Sequence, residues 1–417
     1  MTSSYDLKTS QRLLYTLFAA QSLSSAAQIA VFTLITISAA QLAGTESVAG
    51  VPSSTLTFAQ ALSAYPIAMV MGRFGRRVGL SLGYAVGILG GLVGMLAIMQ
   101  HSFPLLLVGA ALLGTSRASA DQGRFAAGEM FHENERARMI GRLIFAGTIG
   151  AVVGPLLVAP SGRLMASLGL PSDTGTWMLM MVFAGLALLL CFFFLRPDPM
   201  TIARLLEAEN NAARQIEDVG TARPLSQLLA LPRVQLAIIA VIISQTVMVV
   251  LMVMTPLHMH HLHHPTEAIS LVLAAHALGM YGFSPLTGYM IDRFGRIPML
   301  VTGGATLIAS CLLAPLSGNE FVLAGVLFLL GLGWNFGYVA GASLLATGLH
   351  GKERTRVQGI NDTLVFLSAG FGSIGAGALF AASGYIAIAI AGFILSAALI
   401  VLVLWYNRPQ LRVEMTS

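Results

Sequence analysis

Along the chain, stretches of about twenty mostly apolar residues alternate with short polar or charged turns, and there is little else. A hydrocarbon core about 30 Å thick needs ~20 such residues per spanning helix, and backbone polar groups inside it must be satisfied within the helix itself. The pattern predicts twelve spanning helices, over 13–39, 55–71, 78–99, 103–121, 139–158 and 177–195, then 234–257, 269–291, 298–316, 321–347, 357–380 and 385–406. The expected fold class is an all-α membrane protein, with a six-helix bundle over 1–195, a polar connector over 196–233 and a second bundle over 234–417. The first apolar stretch begins at Leu13, exceeds signal-peptide length and has no small-residue cleavage signature after it, so it is expected to be retained as a helix.

Composition agrees with the pattern. Apolar residues make up 56% of the 417 and charged residues 10%, against roughly a quarter charged in soluble domains. Cys191 and Cys311 each sit inside an apolar stretch and read as small hydrophobes, with no disulfide or metal pair suggested. The net charge of +5 sorts by loop. Basic residues collect in alternate loops, at Lys8 and Arg12, Arg73, Arg76 and Arg77, Arg136 and Arg138, Arg293 and Arg296, Lys352, Arg354 and Arg356, and Arg408 and Arg412, with Arg163 the exception on the other side. That asymmetry predicts both termini in the cytoplasm and accounts for the basic balance without a nucleic-acid partner. The connector, with Arg204, Glu207, Glu209, Arg214, Glu217 and Asp218 around Leu205 and Leu206, reads as amphipathic and cytoplasmic.

The two halves echo each other. Gly72–Arg77 (GRFGRR) returns as Asp292–Ile297 (DRFGRI), and Glu135–Gly141 (ERARMIG) returns at nearly the same spacing as Glu353–Gly359 (ERTRVQG). Repeated halves are characteristic of transporters. On Gly288, Asp292, Arg293, Gly295 and Arg296, the chain resembles the major facilitator superfamily over essentially its whole length. The resemblance implies two pseudo-symmetric six-helix bundles, a small-molecule substrate and gating by this loop, with Arg73 and Arg76 as the first copy. Physically, Gly295 permits a tight turn, while Asp292 can cap a helix start and pair with an arginine. The first copy departs from the pattern, with Gly72 for the aspartate and Ala68 for the leading glycine.

Ionisable groups inside a bilayer are costly and mark function. Arg117 matches the family's fourth-helix arginine, which the resemblance links to proton transfer, and Asp121 follows one turn later where the two can pair; a structural ion pair is the alternative. Asp362 is a second candidate proton carrier or a partner of a helix N-terminus. Gly150, Gly154 and Pro155 fit part of a GxxxGP motif typical of the family's antiporters, and equally fit close helix packing. Gln21, Ser25 and Gln28 form one helical stripe, and with Ser244, Gln245, Trp334, Asn335 and Tyr338 they lie on spans that line the cavity in the family, to hold substrate or to join helices.

Histidines set this chain apart. His258, His260, His261, His263 and His264 end the seventh span, at spacings that suit a transition metal, a proton-responsive element or a solvated loop, and His276 lies in the eighth, placed for a role inside the cavity. No phosphate loop or zinc-hydrolase spacing is present, so no enzyme and no cofactor is expected. The expectation is a monomeric plasma-membrane transporter exporting an amphipathic organic compound by alternating access, coupled to protons. The alternatives are a transporter of a transition metal or its chelate through the histidines, and a solute sensor that does not transport.

Overall fold

The structure, a computed structural model, describes residues 7–213, 223–345, 347, 349 and 351–407. These residues form fifteen α-helices and, among the described residues, no strand. The helices are α1 (Leu7–Ala43), α2 (Val51–Phe74), α3 (Arg76–Met99), α4 (Phe103–Glu129), α5 (Glu133–Leu156), α6 (Val158–Ser167), α7 (Thr174–Phe194) and α8 (Pro199–Ala213). They continue as α9 (Leu225–Ala230), α10 (Pro232–His261), α11 (Thr266–Tyr281), α12 (Ser284–Phe294), α13 (Arg296–Leu313), α14 (Glu320–Leu345) and α15 (Gly351–Tyr406).

Local chemistry sets several boundaries. Ser102 caps α4 by accepting from the Leu105 amide at 3.4 Å, with Pro104 in the first turn, where its missing N–H costs nothing. Within α15, Gly384 has φ 72°, so two spans run into each other at a bend, as the predicted break between 380 and 385 requires. Among the described residues, ten helical segments are long and apolar enough to cross a membrane, one of them α11 and α12 taken together. The bend at Gly384 divides the last of these, while α2, rich in Ser, Thr and Gln, is too polar to qualify by composition, so the set remains consistent with twelve spans. Two predicted spans are interrupted: the fifth breaks at Leu157 between α5 and α6, and the eighth breaks at Gly282 and Phe283 between α11 and α12. Of the connector, Arg214, Glu217 and Asp218 lie outside the described residues, as do Arg408 and Arg412 at the C-terminus.

The chain divides into two compact units, Met1–Ser38 with Thr55–Val219 and Ala39–Ser54 with Gly220–Ser417. In the first, α3 packs on α4 and α7. Gly94 makes this possible, because a Cβ there would strike the Trp177 indole, which is 1% exposed. In the second, α14 packs on α10, α11 and α13, and α10 on α15. The α1–α2 turn belongs to this second unit: Ser54 Oγ donates to the Gly370 carbonyl at 2.6 Å and Ser373 Oγ to the Gly50 carbonyl at 2.9 Å. Large apolar side chains such as Leu189, Phe193, Ile386 and Val401 face outward, as a hydrocarbon solvent permits.

Candidate functional site

In the first unit, the polar stripe on α1 meets the glycines of α5. Ser22 and Ser25 donate to the carbonyls of Ala146 and Gly147 at 2.8 and 2.7 Å, and Gln28, buried, donates to Ser24 at 2.9 Å. A Cβ on Gly150 or Gly154 would collide with the backbone of Ser22 or Ala26. The GxxxGP tract therefore acts as a helix-packing surface, with Pro155 in its last turn. Ser25 and Gln28 are engaged within the bundle, while Gln21 is half-buried and its amide nitrogen lies near Gly147.

Arg117 and Asp121, both half-buried on α4, do not pair with each other. Asp121 Oδ2 instead accepts from Gln60 Nε2 of α2 at 2.8 Å, and Arg117 makes no ion pair among the described residues. The expected pair is thus replaced by an amide–carboxylate contact, which fixes Asp121 while leaving its second oxygen available. Gln60 was not legible as a partner because it sits on a span that also carries Ser53, Ser54, Thr55, Thr57 and Ser63, where one more polar side chain carries no signal.

The two copies of the repeated loop differ in the direction opposite to the motif. In the first, Gly75 adopts φ 97° and starts α3. Asp198, far along the chain, supplies what Gly72 lacks. Its Oδ1 accepts from the Arg76 and Met200 amides at 3.1 and 2.8 Å, and its Oδ2 from the Arg77 amide at 2.9 Å. Arg76 Nε also donates to Glu129 Oε2 at 3.0 Å, and Arg73 lies over the Phe74 ring. In the second copy, Gly295 repeats the turn at φ 91°, but Asp292 is exposed and neither caps α13 nor forms an ion pair among the described residues. Arg296 donates to Ser343 Oγ at 2.9 Å, Arg293 to Tyr289 at 3.2 Å, and Gly288 has open space about it. Glu353 of the second echo is ion-paired: it takes the backbone amide and guanidinium of Arg223 at 2.9–3.0 Å, and these hydrogen bonds raise the arginine's pKa. Asp362 lies beside Asn361, whose amide nitrogen is 3.2 Å from it.

Inside the second unit, Trp334 Nε1 donates to Gln245 Oε1 at 2.8 Å. Tyr338 stacks on that indole at 4.7 Å and 29°, and Tyr281, at the break before α12, meets its edge at 5.9 Å. Three aromatic rings and one amide from α10, α11 and α14 thus share a locus. Asn335, next to Trp334, behaves otherwise. It is 1% exposed, donates to the Met280 carbonyl and Ser284 Oγ at 2.6 and 2.8 Å and accepts from Thr287, so it bridges the α11–α12 break. Its polar atoms are occupied by protein partners. His276 is 1% exposed; Nδ1 meets the Leu327 carbonyl at 2.9 Å and Nε2 has no partner among the described residues.

Three of the five clustered histidines engage different partners. His258 stacks on Tyr385 at 4.1 Å, His261 Nε2 is 2.8 Å from Glu46 Oε1, and His264 Nε2 is 2.6 Å from the Gly318 carbonyl, while His260 and His263 are exposed. Among the described residues, no three His, Cys, Asp or Glu side chains are grouped to hold a metal.

Duplicated turns, helices built to span a bilayer and polar groups set into the interior of each unit define a membrane transporter. The profile of the Major Facilitator Superfamily matches residues 17–265 and 236–414, and the chain belongs to that family. It is 35% identical to the uncharacterized MFS-type transporter YddS of Bacillus subtilis (strain 168), over 89% of this chain and 85% of that one. It is 30% identical to the riboflavin transporter RfnT of Brucella anthropi, over 91% of this chain and 92% of that one. In fold it is similar to the crystal structure of the D-xylose-proton symporter, with a TM-score of 0.70 at 16% identity, covering 96% of this chain and 97% of that one. The chain is therefore a multi-pass transporter of a small molecule, and its class carries out no enzymatic chemistry.

Proposed function

We propose that this transporter exports a small, amphipathic, ring-bearing organic compound by alternating access, coupled to protons, as a monomer in the plasma membrane with both termini cytoplasmic. The observation that carries the choice of solute is the Trp334, Tyr338 and Tyr281 cluster with the Gln245 amide. Ring faces favour a flat apolar body, and the amide favours a polar edge. The riboflavin named for the Brucella relative has that chemistry and is the first compound to test. Asp121 is the proposed proton carrier, held by Gln60 and one turn from Arg117, with Asp362 as a second; the two repeated loops are the proposed gates. Outward direction rests on the partial GxxxGP tract alone.

The test is flux in proteoliposomes with riboflavin inside or outside and an imposed pH gradient. Gradient-driven movement is expected, with W334A reducing it at least about tenfold, the loss of one buried aromatic contact of roughly 1.4 kcal/mol. D121N is expected to abolish the response to the gradient while leaving exchange of labelled for unlabelled riboflavin. Binding without flux would overturn the transport reading for this solute and favour a sensor.

A further inference from the structure

We infer that the solute carried by this protein is an organic anion, and that Arg117, midway along α4, receives its carboxylate or phosphate group. The inference rests on the transport reading above and narrows it, from an amphipathic ring-bearing compound to one with a negative charge. Arg117 stands fourteen residues after Phe103 and twelve before Glu129, about 21 and 18 Å from the two ends of the helix at a rise of about 1.5 Å per residue. That depth falls inside a hydrocarbon core about 30 Å thick, where a guanidinium needs a partner. Half-buried, Arg117 makes neither a hydrogen bond nor an ion pair among the described residues.

The sequence of the first unit explains why no partner is found. Helices α1 to α7 carry acidic residues only at Asp121, Glu129, Glu133 and Glu135. Glu129 is committed to the Arg76 guanidinium, and Glu133 and Glu135 open α5 beyond the end of α4. Asp121 has the i, i+4 spacing of an ion pair with Arg117, yet its Oδ2 accepts from Gln60 and the pair does not form. The rest of this face is neutral and turned to α2. A Cβ on Gly114, one turn before Arg117, would strike the Leu56 carbonyl, Thr115 shares a hydrogen bond with Ser63 at 2.9 Å, and α2 has no charged residue before Arg73. A solute's carboxylate or phosphate supplies what these helices lack, since it matches the paired donors of a guanidinium and neutralises it while bound. An uncharged analogue leaves the buried charge unpaired, so the site selects by charge. Asp121, so close, opposes the same anion while it is ionised.

The experiment has two arms on the full-length, detergent-solubilised protein. In the first, fluorescence polarisation compares riboflavin phosphate with riboflavin, which share a ring system and differ in charge. The phosphate is expected to bind at least about tenfold more tightly, as a hydrogen bond to a charged group implies. R117Q should bring the two affinities together, R117K should keep part of the preference, and D121N should tighten binding of the phosphate without changing that of riboflavin. In the second arm, mass spectrometry reads modification of Arg117 by phenylglyoxal. Benzoate and riboflavin phosphate are expected to protect the side chain, and the uncharged benzamide is not; which of the two anions protects better tells a carboxylate site from a phosphate site. Equal flavin affinities in the unmodified protein, a preference that survives R117Q, or no protection by either organic anion would each overturn the inference. Protection by inorganic phosphate at the concentration that suffices for riboflavin phosphate would overturn it too, leaving a site for free anions. Should R117Q fail to fold, the protection arm decides on the unmodified protein. If neither flavin binds while benzoate protects, riboflavin is lost as the solute and the anion site stands, so failure of the transport test and failure of this one are told apart.

Discussion

At the scale of single residues, the asymmetry between the two loop copies is the sharpest result. Asp198 takes three backbone N–H groups at 2.8–3.1 Å, two of them from the first turn of α3, whereas Asp292 takes none among the described contacts of its helix start. D198A is expected to cost about 1–2 kcal/mol, as loss of a helix cap does, and D292A less than about 0.5 kcal/mol, as at an ordinary surface site. Melting temperatures of the detergent-solubilised variants separate the two. For Asn335, substitution by Leu orphans the Met280 carbonyl and the Ser284 hydroxyl, while the Thr287 hydroxyl keeps its hydrogen bond to the Phe283 carbonyl. A cost of about 1–3 kcal/mol follows for each buried group left unsatisfied, and the same melting assay checks it. Motif spacing placed the turn glycines Gly75 and Gly295 correctly, but it could not supply Asp198, Glu129 or Gln60. Those partners arrive from other helices, and no periodicity within a stretch of chain encodes which distant side chain meets it.

At the scale of elements, helix existence was the most legible property, because a run of apolar residues long enough to cross a bilayer has few other stable conformations. The bend at Gly384 also falls in the gap the sequence leaves between its last two spans. The break at Gly282–Phe283 was missed because the apolar run on either side is long enough for one span, although Gly282, Ser284 and Pro285 mark a stop and restart there. The Asn335 bridge from α14 ties its two sides. Helix packing, by contrast, was only half legible: the spacing of Gly150 and Gly154 advertised a close approach, but the partner, α1, is known only from the fold. G150L or G154L should therefore prevent folding or lower the melting temperature steeply, since the clash is with backbone of α1. G185A, where a Cβ meets nothing within 4 Å, should be neutral or slightly stabilising through helix propensity. Yield of monodisperse protein on size-exclusion chromatography, together with melting temperature, measures both.

At the scale of the whole molecule, the repeat in the sequence and the compact units in the structure do not coincide. The turn at Ala39–Ser54, part of the first half by sequence, is built into the second unit through the Ser54–Gly370 and Ser373–Gly50 hydrogen bonds. Gly377 fits the same turn, since a Cβ there would come within 3.0 Å of the Ser47 carbonyl oxygen. Expressing residues 223–407 alone should accordingly give a fragment less stable than the same segment coexpressed with residues 1–222, as read by protease protection of α15. Equal protection would refute this dependence. The consequence reaches back to ancestry. If the molecule arose by copying one half, its descendants ceased to be separable modules once one half had lent a turn to the other, and any recombination that exchanges halves between relatives must carry the two sides of that turn's seam together or lose them both.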